Sequence, residues 1–168
     1  STSSTSVNAN SIHLHRWTFV NVIRYSANNK LGEVLFPKAL PALKTLNISR
    51  NSLQQFDISE PELPSLVELD LKVNSLVNIN VNNPTFAKLE SLDLSWNRLP
   101  RLYLVGLTLP ELKNLRLSHN LLVEFVVYKV DLPNLRIASF DHNSLKLLDL
   151  QWLSFPRIQK IDLCKIYP

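Results

Sequence analysis

The chain has 168 residues, of which 45% are apolar, enough to bury a continuous core. Its net charge of +4 comes from Lys and Arg scattered singly, with no run that would track phosphates, so no nucleic-acid partner is expected. A lone cysteine, Cys164, excludes an internal disulfide, and no apolar run approaches the roughly 20 residues that span a bilayer.

The absence of Met reads as processing or excision from a longer chain. Residues 1–11 lack the basic start and apolar middle of a signal peptide and read as a flexible tail. Residues 12–42 read as a degenerate capping repeat: Ile12, Leu14, Trp17 and Phe19 lead in, Val20, Ile23, Tyr25 and Asn28 keep a pattern, and Lys30 interrupts it. Five regular units fill residues 43–157, starting at Leu43, Leu66, Leu89, Leu112 and Leu135. A partial last unit, 158–168, starts at Ile158. Asn28, Asn51, Asn74, Asn97, Asn120 and Asn143 follow one another at intervals of 23 residues without insertion or deletion, the signature of a solenoid.

Within each regular unit the fourth and sixth positions are apolar: Leu46 and Ile48, Leu69 and Leu71, Leu92 and Leu94, Leu115 and Leu117, Ala138 and Phe140. This alternation predicts a short strand with one buried face. A second alternation, at 56–58, 79–81, 102–104, 125–127 and 148–150, predicts extended segments on the opposite side and little helix. Most units close on an apolar residue and proline, which suits a turn because proline fixes φ and has no N–H to satisfy. The recurring Asn fits a stacked ladder, since its amide both donates to and accepts from backbone exposed at the strand end.

The phrase L-E-S-L-D-L-S-W-N at 89–97 and its counterparts resemble the leucine-rich repeat family, from about Val20 to the C-terminus. The resemblance implies an α/β-type repeat solenoid of about seven 23-residue units, a curved right-handed superhelix with a parallel sheet on its concave face. It also implies a binding role, with no catalysis and no cofactor. L-K-N-L-R-L-S-H-N at 112–120 and F-D-H-N-S-L-K-L-L-D-L at 140–150 are similar to the leucine-rich immune proteins of mosquitoes. That closer likeness implies a secreted protein and, as partner, a complement-like thioester protein; the cysteine-rich flank and coiled coil through which that family pairs are absent.

Positions three, five and seven should face outward on the concave sheet, and neighbouring strands should align them in columns. Glu68, Asp70 and Asp93 put acid at the centre, with Lys72, Ser95 and Arg116 beside them. Two readings stand: a docking site for a basic loop or hydrogen-bonding ligand, or a solvated face with Asp93 paired to Arg116. Position eight forms an edge containing Trp96, His119 and His142; Trp96 is either a binding anchor or a ring lying over its neighbours. His119, Asp141 and His142 could form a metal site on adjacent strands, but without fixed ligand spacing they read as surface residues of the protein-binding face, and no metal is expected. Tyr103 and Trp152 belong to the opposite side.

Asn47-Ile48-Ser49 is a glycosylation sequon, whereas Asn83-Pro84-Thr85 is excluded by its proline. A glycan at Asn47 would push binding toward the later units. At the C-terminal end Ile166 and Pro168 break the repeat, so Ile158, Ile161 and Leu163 call for a flanking domain or a partner. Cys164 either pairs with a cysteine in such a segment or stays a free thiol. The resulting expectation is an extracellular, immune-type module that binds a partner protein through its concave face. The alternative is a cytoplasmic scaffold that regulates another enzyme.

Overall fold

The computed structural model describes residues 10–24, 30–83, 85–149 and 156–165. In chain order the strands are β1 (Ser11–His13), β2 (Val22–Arg24), β3 (Glu33–Leu35), β4 (Thr45–Asn47), β5 (Gln55–Asp57), β6 (Glu68–Asp70) and β7 (Asn78–Asn80). They continue as β8 (Ser91–Asp93), β9 (Arg101–Val105), β10 (Asn114–Arg116), β11 (Glu124–Tyr128), β12 (Ile137–Ser139), β13 (Leu147–Asp149) and β14 (Lys160–Asp162). Among the described residues the only helix is a single 3-10 turn at Leu14–Arg16.

The even-numbered strands from β2 to β14 form one seven-stranded sheet in which each strand pairs with the next in parallel. Register is set by the repeat: Leu46 lies opposite Leu69, Leu69 opposite Leu92, Leu92 opposite Leu115 and Leu115 opposite Ala138. Seven strands delimit about six turns, so the chain is a parallel β-solenoid of about that length. The α/β-type expectation gives way. The chain between one long-sheet strand and the next alternates with period two and carries prolines, which suits short strands and excludes a helix.

On the opposite side β1 pairs with β3, β5 with β7, and β9, β11 and β13 form a three-stranded sheet, all in parallel. β5, β7, β9, β11 and β13 are the extended segments read from the second alternation, whose last position, Leu150, lies outside the described residues; β1 and β3 fall outside that alternation. The N-terminal boundary shifts: Ser11 belongs to β1, and the Asn10 carbonyl accepts hydrogen bonds from Gly32 and Glu33 at 2.7 and 3.0 Å. Phe19, one of the apolar positions leading into the first unit, is 91% exposed. The chain turns tightly there, Trp17 N–H bonding Leu14 and Val20 N–H bonding Trp17 at 3.0 Å each, which leaves Phe19 at a turn tip.

Leucines of successive turns stack into one core, with Leu46, Leu69, Leu94 and Leu117 fully buried. Ala138 and Phe140 are both buried, and the Phe140 ring packs 4.9 Å from Phe125, so the larger ring fills space that a small neighbour leaves. The asparagine ladder is present from Asn51 to Asn143; Asn28 lies outside the described residues. Asn97 shows the pattern. Its Nδ2 donates to Leu71 O at 3.1 Å in the preceding turn and Leu94 O at 3.0 Å in its own, while Oδ1 accepts from Leu76 N at 3.0 Å. Asn74, Asn120 and Asn143 repeat that triad. Asn51 donates to the Ile48 and Ser49 carbonyls at 3.1 Å.

The residue before each of these asparagines adopts a left-handed backbone: Arg50, Val73, Trp96, His119 and His142 have φ between 55° and 58°. The turn swings the following amide back under the strand. It also aims the position-eight side chains along one edge of the long sheet.

Candidate interaction surface

The outer side of the long sheet is built from positions three, five and seven of each turn. Register sets Asp70 beside Asp93 and Asp93 beside Arg116. Asp70 is half-buried. Asn47 Nδ2 donates to its Oδ2 at 2.9 Å and Lys72 N–H to its Oδ1 at 3.0 Å. Burial, joined by the charges of Asp93 and Glu68, holds the Asp70 carboxyl above its ordinary pKa despite the Lys72 N–H. Asp93 accepts from Ser95 N–H at 2.9 Å.

Two expectations need correcting. No Asp93–Arg116 ion pair exists among the described residues; the Arg116 guanidinium instead reaches Ser91 Oγ at 3.5 Å. Ser95 is only 5% exposed, because position seven begins the left-handed turn and its short side chain stays under its neighbours, whereas Lys72 extends into solvent from the equivalent place. Glu68 is exposed and Asp93 and Arg116 are half-exposed, so the remaining cluster is reachable.

The edge column is more ordered than spacing alone implies. Trp96 stacks on His119 with ring centroids 3.8 Å apart, and His119 on His142 at 4.0 Å, both with 14° between planes. Trp96 is thus a ring lying over its neighbour, and it is also 51% exposed. Asp141 bonds His142 Nδ1 through Oδ2 at 3.0 Å and accepts from the Ser118 hydroxyl through Oδ1. Burial lowers the His119 pKa, with His142 adding to the effect and Asp141 opposing it. Burial pushes the Asp141 carboxyl up, but the Ser118 and His142 hydrogen bonds more than offset this and leave it below the usual carboxylate value.

Asn47 is half-buried with its sequon already turned: Ser49 N–H and Oγ donate to Asn47 Oδ1 at 3.0 and 2.7 Å. The nitrogen that would carry a glycan is the one that holds Asp70. At the C-terminal end Ile161, Leu163 and Cys164 are exposed and Ile158 is half-buried against the core. Tyr103 lies on the opposite side, exposed, its hydroxyl donating to Glu124 at 3.0 Å. Trp152, Ile166 and Pro168 lie outside the described residues.

Two features had no periodic signal. Asn83 is buried and donates to Ile58 O and Pro61 O at 2.6 and 2.7 Å, tying two turns together on the side away from the long sheet. Where β3 and β5 do not pair, a cleft of about 420 Å³ opens beside Phe56, rimmed by Glu33, Gln54, Asp57 and Asn78. Comparison with protein-family models, curated proteins and solved structures found no match.

Proposed function

We propose that this protein is a leucine-rich repeat recognition module that captures a partner protein on the concave side of its long sheet. The single observation that carries the reading is the acidic cluster of Glu68, Asp70 and Asp93 lying next to the exposed Trp96 edge. Two carboxylates placed opposite each other, one of them half-buried, are unfavourable to the isolated fold. A basic loop laid across them would relieve that repulsion, and Trp96 would supply an aromatic anchor of the kind enriched among binding hot spots. The repeat idiom favours a secreted immune-type protein with a complement-like thioester protein as the class of partner.

The test is capture from the native fluid by the intact chain and by the doubly substituted Asp70→Lys/Asp93→Lys protein. The proposal expects wild-type chain to retain a partner that the folded double variant loses. Equal retention by both proteins contradicts the acidic docking site. Glycan occupancy at Asn47 in native material separates the secreted reading from a cytoplasmic scaffold.

A further inference from the structure

Sequence spacing offers no metal motif, but the fold brings three ligating side chains into one place. His119 and His142 occupy the same position in adjacent turns, and Asp141 immediately precedes the second. One donor atom from each of His119, Asp141 and His142 lies within 4.8 Å of the other two. Three structural constraints hold them there. Both histidines sit at φ 55° in the turns that aim them along the edge. Trp96 covers the outer face of the His119 ring at 3.8 Å and prevents it from swinging away from His142. Ser118 fixes the second oxygen of Asp141 while its first lies 3.0 Å from His142 Nδ1.

We propose that His119, Asp141 and His142 bind one borderline divalent transition ion of the Zn²⁺ type. The ion takes the position of the proton now shared by His142 Nδ1 and Asp141 Oδ2, and that proton moves to His142 Nε2 as the ring changes tautomer. Metal–ligand bonds of about 2.0–2.1 Å in a tetrahedron place ligand atoms about 3.3 Å apart, so the 3.0 Å pair needs only slight opening. His119 opens its 14° stack on His142 and tilts until a ring nitrogen points at the ion, its separation from the others falling from at most 4.8 Å. Imidazole nitrogens with one carboxylate suit Zn²⁺, Cu²⁺ or Ni²⁺ over Mg²⁺ or Ca²⁺, which prefer all-oxygen sites. The fourth position faces solvent, open to water or to a side chain of a bound partner. Ser118 acts as the outer partner that orients the ligating carboxylate.

The experiment is calorimetric titration of the full chain with Zn²⁺, paired with Co²⁺ titration read by visible absorption and by fluorescence quenching. Wild type is expected to take up one equivalent, and Co²⁺ to quench Trp96, whose ring lies against His119. His119→Gln and His142→Gln should each weaken binding by about 100-fold or more, and Ser118→Ala by about tenfold, the lower end of the 10–100-fold range for outer-shell changes. His13→Gln/His15→Gln and Cys164→Ser should leave affinity unchanged. No saturable uptake below millimolar Zn²⁺ overturns the proposal. So does uptake that survives His119→Gln in a protein with native circular dichroism, or uptake lost with His13 and His15 or with Cys164.

Discussion

Replacing Asn97 with alanine tests the element on which the solenoid depends. The side chain is buried, and its amide serves three backbone groups: the Leu76 N–H and the carbonyls of Leu71 and Leu94. Alanine strands the Leu76 N–H where water enters poorly, whereas Leu71 O keeps the Asn74 amide at 3.0 Å and Leu94 O keeps the Asn120 amide at 2.9 Å. One orphaned buried donor costs about 1–3 kcal/mol and each lost second hydrogen bond about 0.5–1 kcal/mol, so the loss should be on the order of 2–4 kcal/mol. That is a large share of the roughly 5–15 kcal/mol available to a domain of ordinary stability. Because solenoid stability is a sum over turns and their interfaces, a defect in a middle turn should also broaden the unfolding transition. Urea denaturation followed by far-ultraviolet circular dichroism gives both quantities. Asn80→Ala provides the control: that side chain lies outside the buried ladder, accepts from Asn82 N–H at 3.2 Å and reaches Asp57 at 3.5 Å, so its removal should cost about 1 kcal/mol or less. An Asn97→Ala cost no greater than that of Asn80→Ala would refute the reasoning.

Two further predictions concern backbone strain and titration. Val73 is a β-branched residue at φ 55° and is 37% exposed, so Val73→Asn should stabilise the fold by up to about 1 kcal/mol in the same urea assay; destabilisation would mean that its packing outweighs the strain. The Lys160 ammonium, 3.0 Å from Asp162, together with the Cys164 N–H, holds that carboxyl at about 2, below its ordinary 3.8. A depressed carboxylate contributes stability above its unfolded pKa, and this contribution is lost as pH falls from about 3.8 toward about 2. Lys160→Ala should raise the Asp162 pKa measured by NMR, and an unchanged value would show that the lysine is not its principal partner.

The solenoid and its register were legible because the repeat never slips: an unbroken spacing of asparagines and period-two leucines can be satisfied only by stacking equivalent strands. Burial of Leu46 through Phe140 followed from the same periodicity. What failed depends on local turns rather than on period. Position seven looks like an outward strand site, yet the left-handed turn that begins there covers Ser95. Phe19 satisfied an apolar pattern but landed on a turn tip. Asn83 belongs to no repeat, so nothing marked it as a second stitch between turns. At the candidate site the columns of Glu68, Asp70 and Asp93 and the Trp96 edge were readable from strand spacing. Trp96 lying over its neighbour was one of its two readings, but the continuous stack through His119 to His142 was not legible, because it depends on rotamers fixed by the shared backbone twist.

The proposed recognition on the long-sheet side is tested most directly by hydroxyl-radical footprinting with a captured partner. Trp96, 51% exposed on that edge, and Tyr103 and Tyr128, 43% and 51% exposed on the opposite side, provide comparably accessible aromatic reporters. Binding should protect Trp96 and leave both tyrosines labelled at the rate of the free protein. Protection of Tyr103 and Tyr128 with Trp96 unchanged would contradict it.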